Sequence, residues 1–183
     1  MPSQLESLAT RSRFGNLRYL CNNCIGERFM KIISGGQTGV DRAALAWAIA
    51  QEIPHGGWCP RDRKAEDGTI PPQFQLTETS AEDSLIRTQW NVRDSDGTLI
   101  FTRSPDLAGG TKAALDFSKE IGRAVLHVVA ATEVDDAASK LREFVKRYRI
   151  EVLNVAGPRE SEEPGLGAFV GGVLSLGLLP ENG

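Results

Sequence analysis

Three glycine-containing turns hold the residue types in this chain that can bind an anion. They lie at 34–39 (SGGQTG), 107–111 (LAGGT) and 156–161 (AGPRES), and each follows a short apolar run and precedes a helical pattern. Glycine lets the backbone approach a ligand closely. The first N–H groups of a helix are unpaired and lie at the positive end of its dipole. Such turns are therefore favourable sites for phosphate and other anions.

The side chains in these turns suit the same kind of ligand. The Arg159 guanidinium can bind an oxyanion through two parallel hydrogen bonds, and a surface salt bridge with Glu160 or Glu163 is its alternative role. The hydroxyls of Thr38 and Thr111 can donate to the anion or cap their helices. The predicted ligand-binding residues are Ser34, Gly35, Gly36, Gln37, Thr38, Gly39, Gly109, Gly110, Thr111, Arg159 and Ser161.

Five further residues are additional candidates for this site: Asp41, Arg42, Arg61, Arg87 and Asn91. The first two fall in the first turn of a predicted helix, where a carboxylate also favours the helix dipole. Arg61, together with Arg63 and Lys64, lies on a charged loop that could close over the ligand or remain solvated. The last two are four residues apart and share one helix face, which points at the site or at solvent.

No residue pattern predicts catalysis or a metal site. The first turn lacks the Gly-Lys-Ser/Thr ending of a Walker A loop and does not match GxGxxG. No Ser/His/Asp order, Cys/His pair or paired carboxylates indicate acid–base chemistry. Asp94 and Asp96 precede their strand, so we expect a turn on the opposite edge of the sheet. His127 and Cys59 are predicted to be buried and inert, and His55, beside two glycines, is a better site candidate.

The composition of the 183 residues limits the class of protein. A net charge of −3 argues against nucleic acid as the partner, and no apolar run approaches the ~18 residues of a membrane helix. Three cysteines fit a reducing cytoplasm, and the lone C-x-x-C at Cys21 and Cys24 supports a zinc site poorly. We expect residues 1–29 to be a poorly ordered N-terminal extension and 30–183 to form a single domain.

Strand and helix patterns alternate from residue 30 onward. Apolar runs predict strands at 31–34, 98–102, 125–129 and 152–156, and helical spacing predicts helices at 39–51, 111–121, 134–148 and 164–178. Thr79 and Ser80 are predicted to open another helix. Its capping and face-marking positions are Glu82, Asp83, Leu85, Gln89 and Val92. Between the first helix and this one, we expect a long loop at 60–79 with a short strand near 74–76.

This alternation predicts an α/β fold with a Rossmann-like, mostly parallel sheet and helices on both faces. The apolar runs at 99–101 and 125–129 fit strands that are buried on both faces. Ligands of such sheets bind at the carboxyl ends of the strands, so all three glycine turns lie on the ligand-binding edge. One glycine turn is weak evidence, whereas three on one edge predict a shared small anionic ligand.

Several segments, taken in order, resemble a known family. MKIISGGQTGVDRAALAWAI, IPHGGWCP, RTQWNVRDSDGTLIF and LNVAGPRESEEPG, over about residues 30–178, resemble the molybdenum cofactor carrier proteins, the circularly permuted YpsA-like branch of the SLOG superfamily. The resemblance implies a homodimer or homotetramer that holds the molybdenum cofactor (molybdopterin), a pterin phosphate carrying molybdenum. Such proteins protect it or deliver it and are not known as catalysts, so the resemblance implies molybdoenzymes as candidate recipients. By position, 34–39, Gly109–Thr111, Arg159 and Ser161 would form the pocket.

Two other functions remain open beside the carrier. The wider superfamily contains phosphoribohydrolases of nucleoside monophosphates, whose PGGxGTxxE motif carries a glutamate that assists cleavage. Here Ala114 stands at that position, which argues against hydrolysis. The other open function is a sensor that binds a nucleotide such as AMP without turnover. In each case we predict that Arg159→Ala or Gly36→Val weakens ligand binding and leaves the fold largely intact.

Overall fold

The computed structural model describes residues 30–80 and 84–180, so the predicted extension with Cys21 and Cys24 lies outside the described residues. The strands are β1 (Lys31–Ile33), β2 (His55–Gly56), β3 (Trp58–Cys59), β4 (Lys64–Ala65), β5 (Gly68–Thr69), β6 (Thr77–Glu78), β7 (Gly97–Thr102), β8 (Ala124–Val129) and β9 (Val152–Ala156). The helices are α1 (Val40–Ala50), α2 (Ser84–Arg93), α3 (Gly109–Glu120), α4 (Val134–Tyr148) and α5 (Gly167–Leu178), with a 3-10 turn at Arg61–Arg63.

The main sheet has five strands in the order β2-β1-β9-β7-β8, and all of them are parallel. Ile33 of β1 lies beside Asn154 of β9, and Ile100 of β7 lies beside Ala156, so β9 is the central strand. The chain leaves β1 toward β2 and leaves β7 toward β8, in opposite directions. This divergence opens a crevice above the carboxyl end of β9. The predicted Rossmann-like α/β fold is confirmed.

Helices cover both faces of this sheet, as predicted. α1 and α4 pack against α5 on one face, whereas α2 packs against α3 on the other. On the first face, Leu99 and Phe101 of β7 and Leu153 and Val155 of β9 are fully buried. Burying one such side chain contributes roughly 1.5–3 kcal/mol, so this face holds the main hydrophobic core.

The opposite face of the sheet is polar at its centre. Thr98 of β7, Asn154 of β9 and Ser118 of α3 are all buried there. The Asn154 side-chain amide donates to Thr98 Oγ1 at 3.2 Å, and the Ser118 hydroxyl donates to the Ala114 carbonyl at 2.7 Å. Buried polar groups are normally hydrogen-bonded, and these contacts satisfy that requirement beneath the space between α2 and α3.

The apolar run at 125–129 does not form a strand buried on both faces, so that prediction was wrong. It lies in β8, which is the edge strand of the sheet, and its residues other than Val128 are half-buried. The run at 99–101, in contrast, lies in β7 between two neighbours and is fully buried. An apolar run indicates that a strand contacts a hydrophobic core, but it does not indicate whether the strand lies at the centre or at the edge of the sheet.

The predicted start of α2 lies partly outside the described residues. Thr79 follows β6, is buried, and its N–H donates to the Cys59 carbonyl at 2.8 Å. The described part of the helix begins at Ser84, and the predicted capping residues Glu82 and Asp83 lie outside the described residues.

The buried face of α2 is not the predicted stripe. Val92 is buried, but Leu85 is 47% exposed and Gln89 is exposed. Thr88 and Asn91 are buried instead. The helix therefore turns polar side chains toward the sheet, where they meet its polar face.

The charged loop at 60–79 has an internal structure that its sequence did not predict. β4 and β5 form an antiparallel hairpin. A short strand was expected near 74–76; the observed strand, β6, begins just after it and pairs with β3. Beneath the loop, the buried residues Leu45, Cys59, Ile70 and Phe74 form a second, smaller hydrophobic cluster.

Arg63 holds this loop together, so it neither closes over a ligand nor remains solvated, the two alternatives considered for it. Its guanidinium donates to the backbone carbonyls of Ile70 (3.1 Å), Pro71 (2.9 Å), Phe74 (2.9 Å) and Leu76 (3.3 Å). We expect Arg63→Met to lower the free energy of unfolding by about 1–3 kcal/mol, because several half-buried carbonyls lose a charged donor. Chemical denaturation measures this loss, and Arg61→Met, which removes an exposed charge from the same loop, is the control; equal stabilities would contradict the role of Arg63.

Candidate functional site

A cavity of about 380 Å³ lies above the carboxyl end of β9, between α2 and the N-terminus of α3. Its floor includes the end of β9, from Asn154 to Gly157. Many of the predicted site residues line it, and they come from all three glycine turns and from α1 and α2: Gly35, Gln37, Asp41, Arg87, Asn91, Gly109, Gly110, Thr111 and Arg159. The three turns thus converge on one cavity, at the sheet edge where they were expected.

Other predicted site residues do not line this cavity: Ser34, Gly36, Thr38, Gly39, Arg42, Arg61 and Ser161. Ser34 is buried, and its hydroxyl donates to the Val155 carbonyl at 2.6 Å, which joins β1 to β9. Gly39 has a φ of 75°, and a Cβ there would lie 2.6 Å from the Pro158 carbonyl oxygen, so its role is close packing of the first and third turns. Arg61 is exposed on the charged loop, 3.6 Å from the Asp62 carboxylate.

Gly36 faces the charged loop and not the cavity. It has a φ of 76°, and a Cβ at this position would lie 2.4 Å from Leu76 Cδ1 and 3.1 Å from Ile70 Cγ2. A valine would strain the backbone and displace the loop. The expectation that Gly36→Val leaves the fold largely intact is therefore wrong, and this variant does not isolate ligand binding.

Arg87 and Asp41 form an ion pair inside the cavity wall. The Arg87 Nη1–Asp41 Oδ2 distance is 2.8 Å, and the two side chains are 16% and 4% exposed. Asp41 Oδ2 also accepts the Gln37 N–H at 3.3 Å, so the carboxylate holds the first glycine turn. Gly35 makes room for this pair, because a Cβ there would lie only 1.4 Å from Arg87 Nη1.

One donor of Arg87 lacks a partner. Within the described part of the chain, Arg87 Nε is the one buried side-chain nitrogen or oxygen without a hydrogen bond. A buried donor without an acceptor costs about 1–3 kcal/mol, so an acceptor supplied by a ligand would be stabilising here.

Asn91 has a structural role, although it also lines the cavity. Its Oδ1 accepts the Trp58 N–H at 2.8 Å, and its Nδ2 donates to the Trp58 carbonyl at 3.0 Å. The side chain thus pairs with the backbone of β3 as a neighbouring strand would, and it fixes α2 to β3 beside the cavity.

The N-terminus of α3 lies at the cavity without a side-chain cap. Its N-cap residue is Ala108, so Thr111 does not cap this helix; its side chain is buried two residues into the helix. Gly109 has a φ of 50°, which favours glycine. The first N–H groups of α3 and the positive end of its dipole are therefore available to an anion in the cavity.

Arg159 lies at the rim of the cavity and is exposed. The predicted alternative, a salt bridge with Glu160 or Glu163, does not form: Glu160 accepts the Gly165 N–H at 2.7 Å, and Glu163 accepts the Arg103 N–H at 2.6 Å. Among the described residues, its guanidinium has neither a hydrogen bond nor an ion pair, and it can bind a ligand without breaking one.

Glu66, which the sequence did not single out, occupies donors that were assigned to the ligand. Its carboxylate accepts hydrogen bonds from the hydroxyls of Thr38 and Ser161 and from the Ser161 N–H at 3.3 Å. These hydrogen bonds hold the pKa of Glu66 below its usual value, and the bond from the Ser161 hydroxyl has the largest effect. The nearby positive charge of Arg159 lowers the pKa further. Thr38 therefore does not cap α1, whose N-cap is Gly39.

Asp67, the next residue, pairs with Arg42. The Arg42 guanidinium binds both oxygens of Asp67, with Nη2 at 2.8 Å from Oδ1, and its Nε donates to the Gly36 carbonyl at 3.1 Å. The hydrogen bond from Arg42 lowers the pKa of Asp67. Arg42 thus fastens the charged loop to the first glycine turn. Nothing local in the sequence around Glu66 and Asp67 revealed these distant partners.

The remaining candidates lie away from the cavity. Asp94 accepts the Trp58 indole N–H at 2.7 Å, and Asp96 accepts the Val152 N–H at 2.8 Å, near the amino end of β7, so the predicted turn on the opposite edge is confirmed. His55 Nε2 accepts the Gln75 N–H at 3.3 Å on edge strand β2. His127 Nε2 lies 2.7 Å from Thr102 Oγ1, and partial burial lowers its pKa.

Burial raises the pKa of the Cys59 thiol, which matches the inert thiol predicted there. Across residues 30–80 and 84–180, no group of three or more His, Cys, Asp or Glu side chains is placed to hold a metal ion. None of the helices in these ranges combines the length and the apolar character needed to cross a lipid bilayer.

Comparisons with known proteins agree with this fold. The model of the circularly permutated YpsA SLOG family matches residues 32–177. The chain is also similar to a crystal structure named "Putative molybdenum carrier protein" from Syntrophus aciditrophicus, with 40% sequence identity and a TM-score of 0.80, covering 83% of this chain and 97% of that one. A comparison with curated proteins gives no match. The chain belongs to the circularly permutated YpsA SLOG family.

Proposed function

We propose that this protein binds a small anionic pterin phosphate, the molybdenum cofactor, and holds it without catalysis as a carrier or store. The observation that carries the proposal is a cavity lined by Arg159, by Arg87, whose buried Nε lacks an acceptor, and by the uncapped N-terminus of α3. Both features are suited to a phosphate, and neither requires a reaction.

The cavity fits such a ligand in size and in chemistry. Its volume of about 380 Å³ falls within the range of small-molecule sites, roughly 300–1,000 Å³. Arg159 at the rim can bind a phosphate with two hydrogen bonds. Asn154 on the floor offers a polar edge to a heterocycle, because its amide nitrogen is already committed to Thr98 and its oxygen can accept a ring N–H.

The family and the similar carrier structure support the choice of ligand among anions of this size. We further propose that the protein is a homodimer or homotetramer in the cytoplasm and that molybdoenzymes receive the cofactor from it. The runner-up is a nucleotide binder or a phosphoribohydrolase-like enzyme. Ala114, which stands where those enzymes carry a glutamate, is fully buried in α3 and supplies no carboxylate to the cavity.

Equilibrium binding of isolated molybdenum cofactor to the full chain tests this proposal, with AMP as the competitor. We expect tight binding of the cofactor, with AMP displacing it only weakly. If AMP binds and the cofactor does not, the carrier proposal fails and the chain binds a nucleotide. Release of the base from AMP during the same titration would identify a hydrolase.

A further inference from the structure

The tip of the β4–β5 hairpin bridges two of the three glycine turns. The Glu66 carboxylate lies among the hydroxyls of Thr38 and Ser161 and the Ser161 N–H, and it uses both of its oxygens. Hydroxyl and backbone N–H donors of this kind are also those that bind phosphate oxygens. The Glu66 carboxylate thus occupies hydrogen-bond donors that the phosphate of a ligand could otherwise use.

Two further contacts hold the tip in place. The Glu66 N–H donates to Gln37 Oε1 at 3.0 Å, and Asp67 forms the bidentate ion pair with Arg42, in which the two side chains are 48% and 19% exposed. Asp67 is about half exposed, so water and salt screen this pair in part. Both residues of the tip are exposed, so polar contacts and not apolar burial hold it closed.

The base of the hairpin is fixed more firmly than its tip. Arg63, just before β4, donates to the carbonyls of Ile70, Pro71, Phe74 and Leu76, and Ile70 is buried in the hydrophobic cluster beneath the loop. Gly68, just after the tip, has a φ of 117°, and no atom lies within 4 Å of the position its Cβ would occupy. The tip can move while the rest of the loop stays in place.

We propose that Glu66 is an internal competitor: its carboxylate occupies the donors of Thr38 and Ser161, beside the cavity-lining residues Gln37 and Arg159, and a phosphate that binds these donors must displace it. This inference rests on the proposed anion-binding function. Because two anions cannot share the same donors, closure of the hairpin tip and binding of a phosphate there exclude each other. The apparent affinity for phosphate is then reduced by the fraction of molecules that are closed.

Glu66→Gln tests the competition in the full chain, with inorganic phosphate as the probe. Glutamine keeps the size of the side chain and removes its charge, and Glu66→Ala removes the acceptor altogether. If about nine-tenths of the molecules are closed, both variants bind phosphate about tenfold more tightly than the unmodified chain. Asp62→Asn is the matched control, because it removes one negative charge from the same loop at a side chain that is 78% exposed. We expect its phosphate affinity to be unchanged.

Amide hydrogen exchange of residues 64–69 provides a second readout that does not depend on an affinity. We expect faster exchange in Glu66→Gln than in Asp62→Asn without phosphate, and faster exchange in the unmodified chain once phosphate is added. The proposal is overturned if phosphate binds Glu66→Gln and Glu66→Ala no more tightly than the unmodified chain, or if phosphate slows exchange at the tip. The cofactor titration of the unmodified chain tests the proposed function separately, so either idea can fail alone.

Discussion

Gly35→Ala is expected to destabilise the protein strongly and to abolish ligand binding, although it adds only one methyl group. The added Cβ would lie 1.4 Å from Arg87 Nη1 and 2.3 Å from Arg87 Cζ, so the guanidinium must leave its position beside Asp41. Asp41, whose side chain is 4% exposed, then remains buried without its partner. Breaking a buried ion pair in this way costs about 3–5 kcal/mol, and chemical denaturation measures that loss.

Gly171→Ala is the matched control for this substitution. Gly171 lies in α5, and no atom lies within 4 Å of the position of its Cβ. Alanine in a helix should leave the free energy of unfolding unchanged or raise it by up to about 1 kcal/mol. If Gly35→Ala is as stable as Gly171→Ala and still binds ligand, the Arg87–Asp41 pair does not organise the site.

Arg159→Ala is expected to weaken binding of the cofactor by about 10–100-fold, because a hydrogen bond to a charged group contributes about 1.5–3 kcal/mol. The fold should be unaffected. Arg159 is exposed and has no hydrogen bond from its guanidinium to any described residue, so we expect a change in stability within about 0.5 kcal/mol. Calorimetric titration of the cofactor and thermal unfolding of the same samples measure the two effects.

Arg147→Ala serves as the charge-matched control for Arg159→Ala. Arg147 is exposed on α4, away from the cavity, and its guanidinium carbon lies 5.6 Å from the centroid of the Tyr148 ring. The variant removes the same charge from the protein without touching the cavity. Equal cofactor affinities of the two variants would show that Arg159 acts only through net charge or not at all.

The parts of this structure that follow local rules could be predicted from the sequence. The parallel sheet follows from apolar runs that alternate with helical spacing, and the shared edge of the three glycine turns follows from the geometry of parallel strands. The rule placed Gly35, Thr111 and Arg159, which are far apart in the chain, around one cavity. It needed only the order of the elements and no contact between side chains.

The contacts that determine what each side chain does could not be predicted in the same way. Glu66 meets Ser161 across 95 positions of the chain, and Arg87 meets Asp41 across 46. Neither pair has a spacing that a helix or strand would impose. Likewise, a glycine at position 36 does not reveal in which direction a Cβ would point. In the structure that direction is toward the charged loop. The charged loop at 60–79 lacks periodicity, so its hairpin and the Arg63 contacts became visible only in three dimensions.

The most direct test of the central claim is a crystal structure of the full chain with bound molybdenum cofactor, with the metal located by its anomalous scattering. Our account predicts the cofactor in the cavity above β9, with its phosphate within hydrogen-bond distance of Arg159, Arg87 or the first N–H groups of α3. A cofactor bound elsewhere, such as the open surface near His55, with this cavity filled only by water, would contradict it.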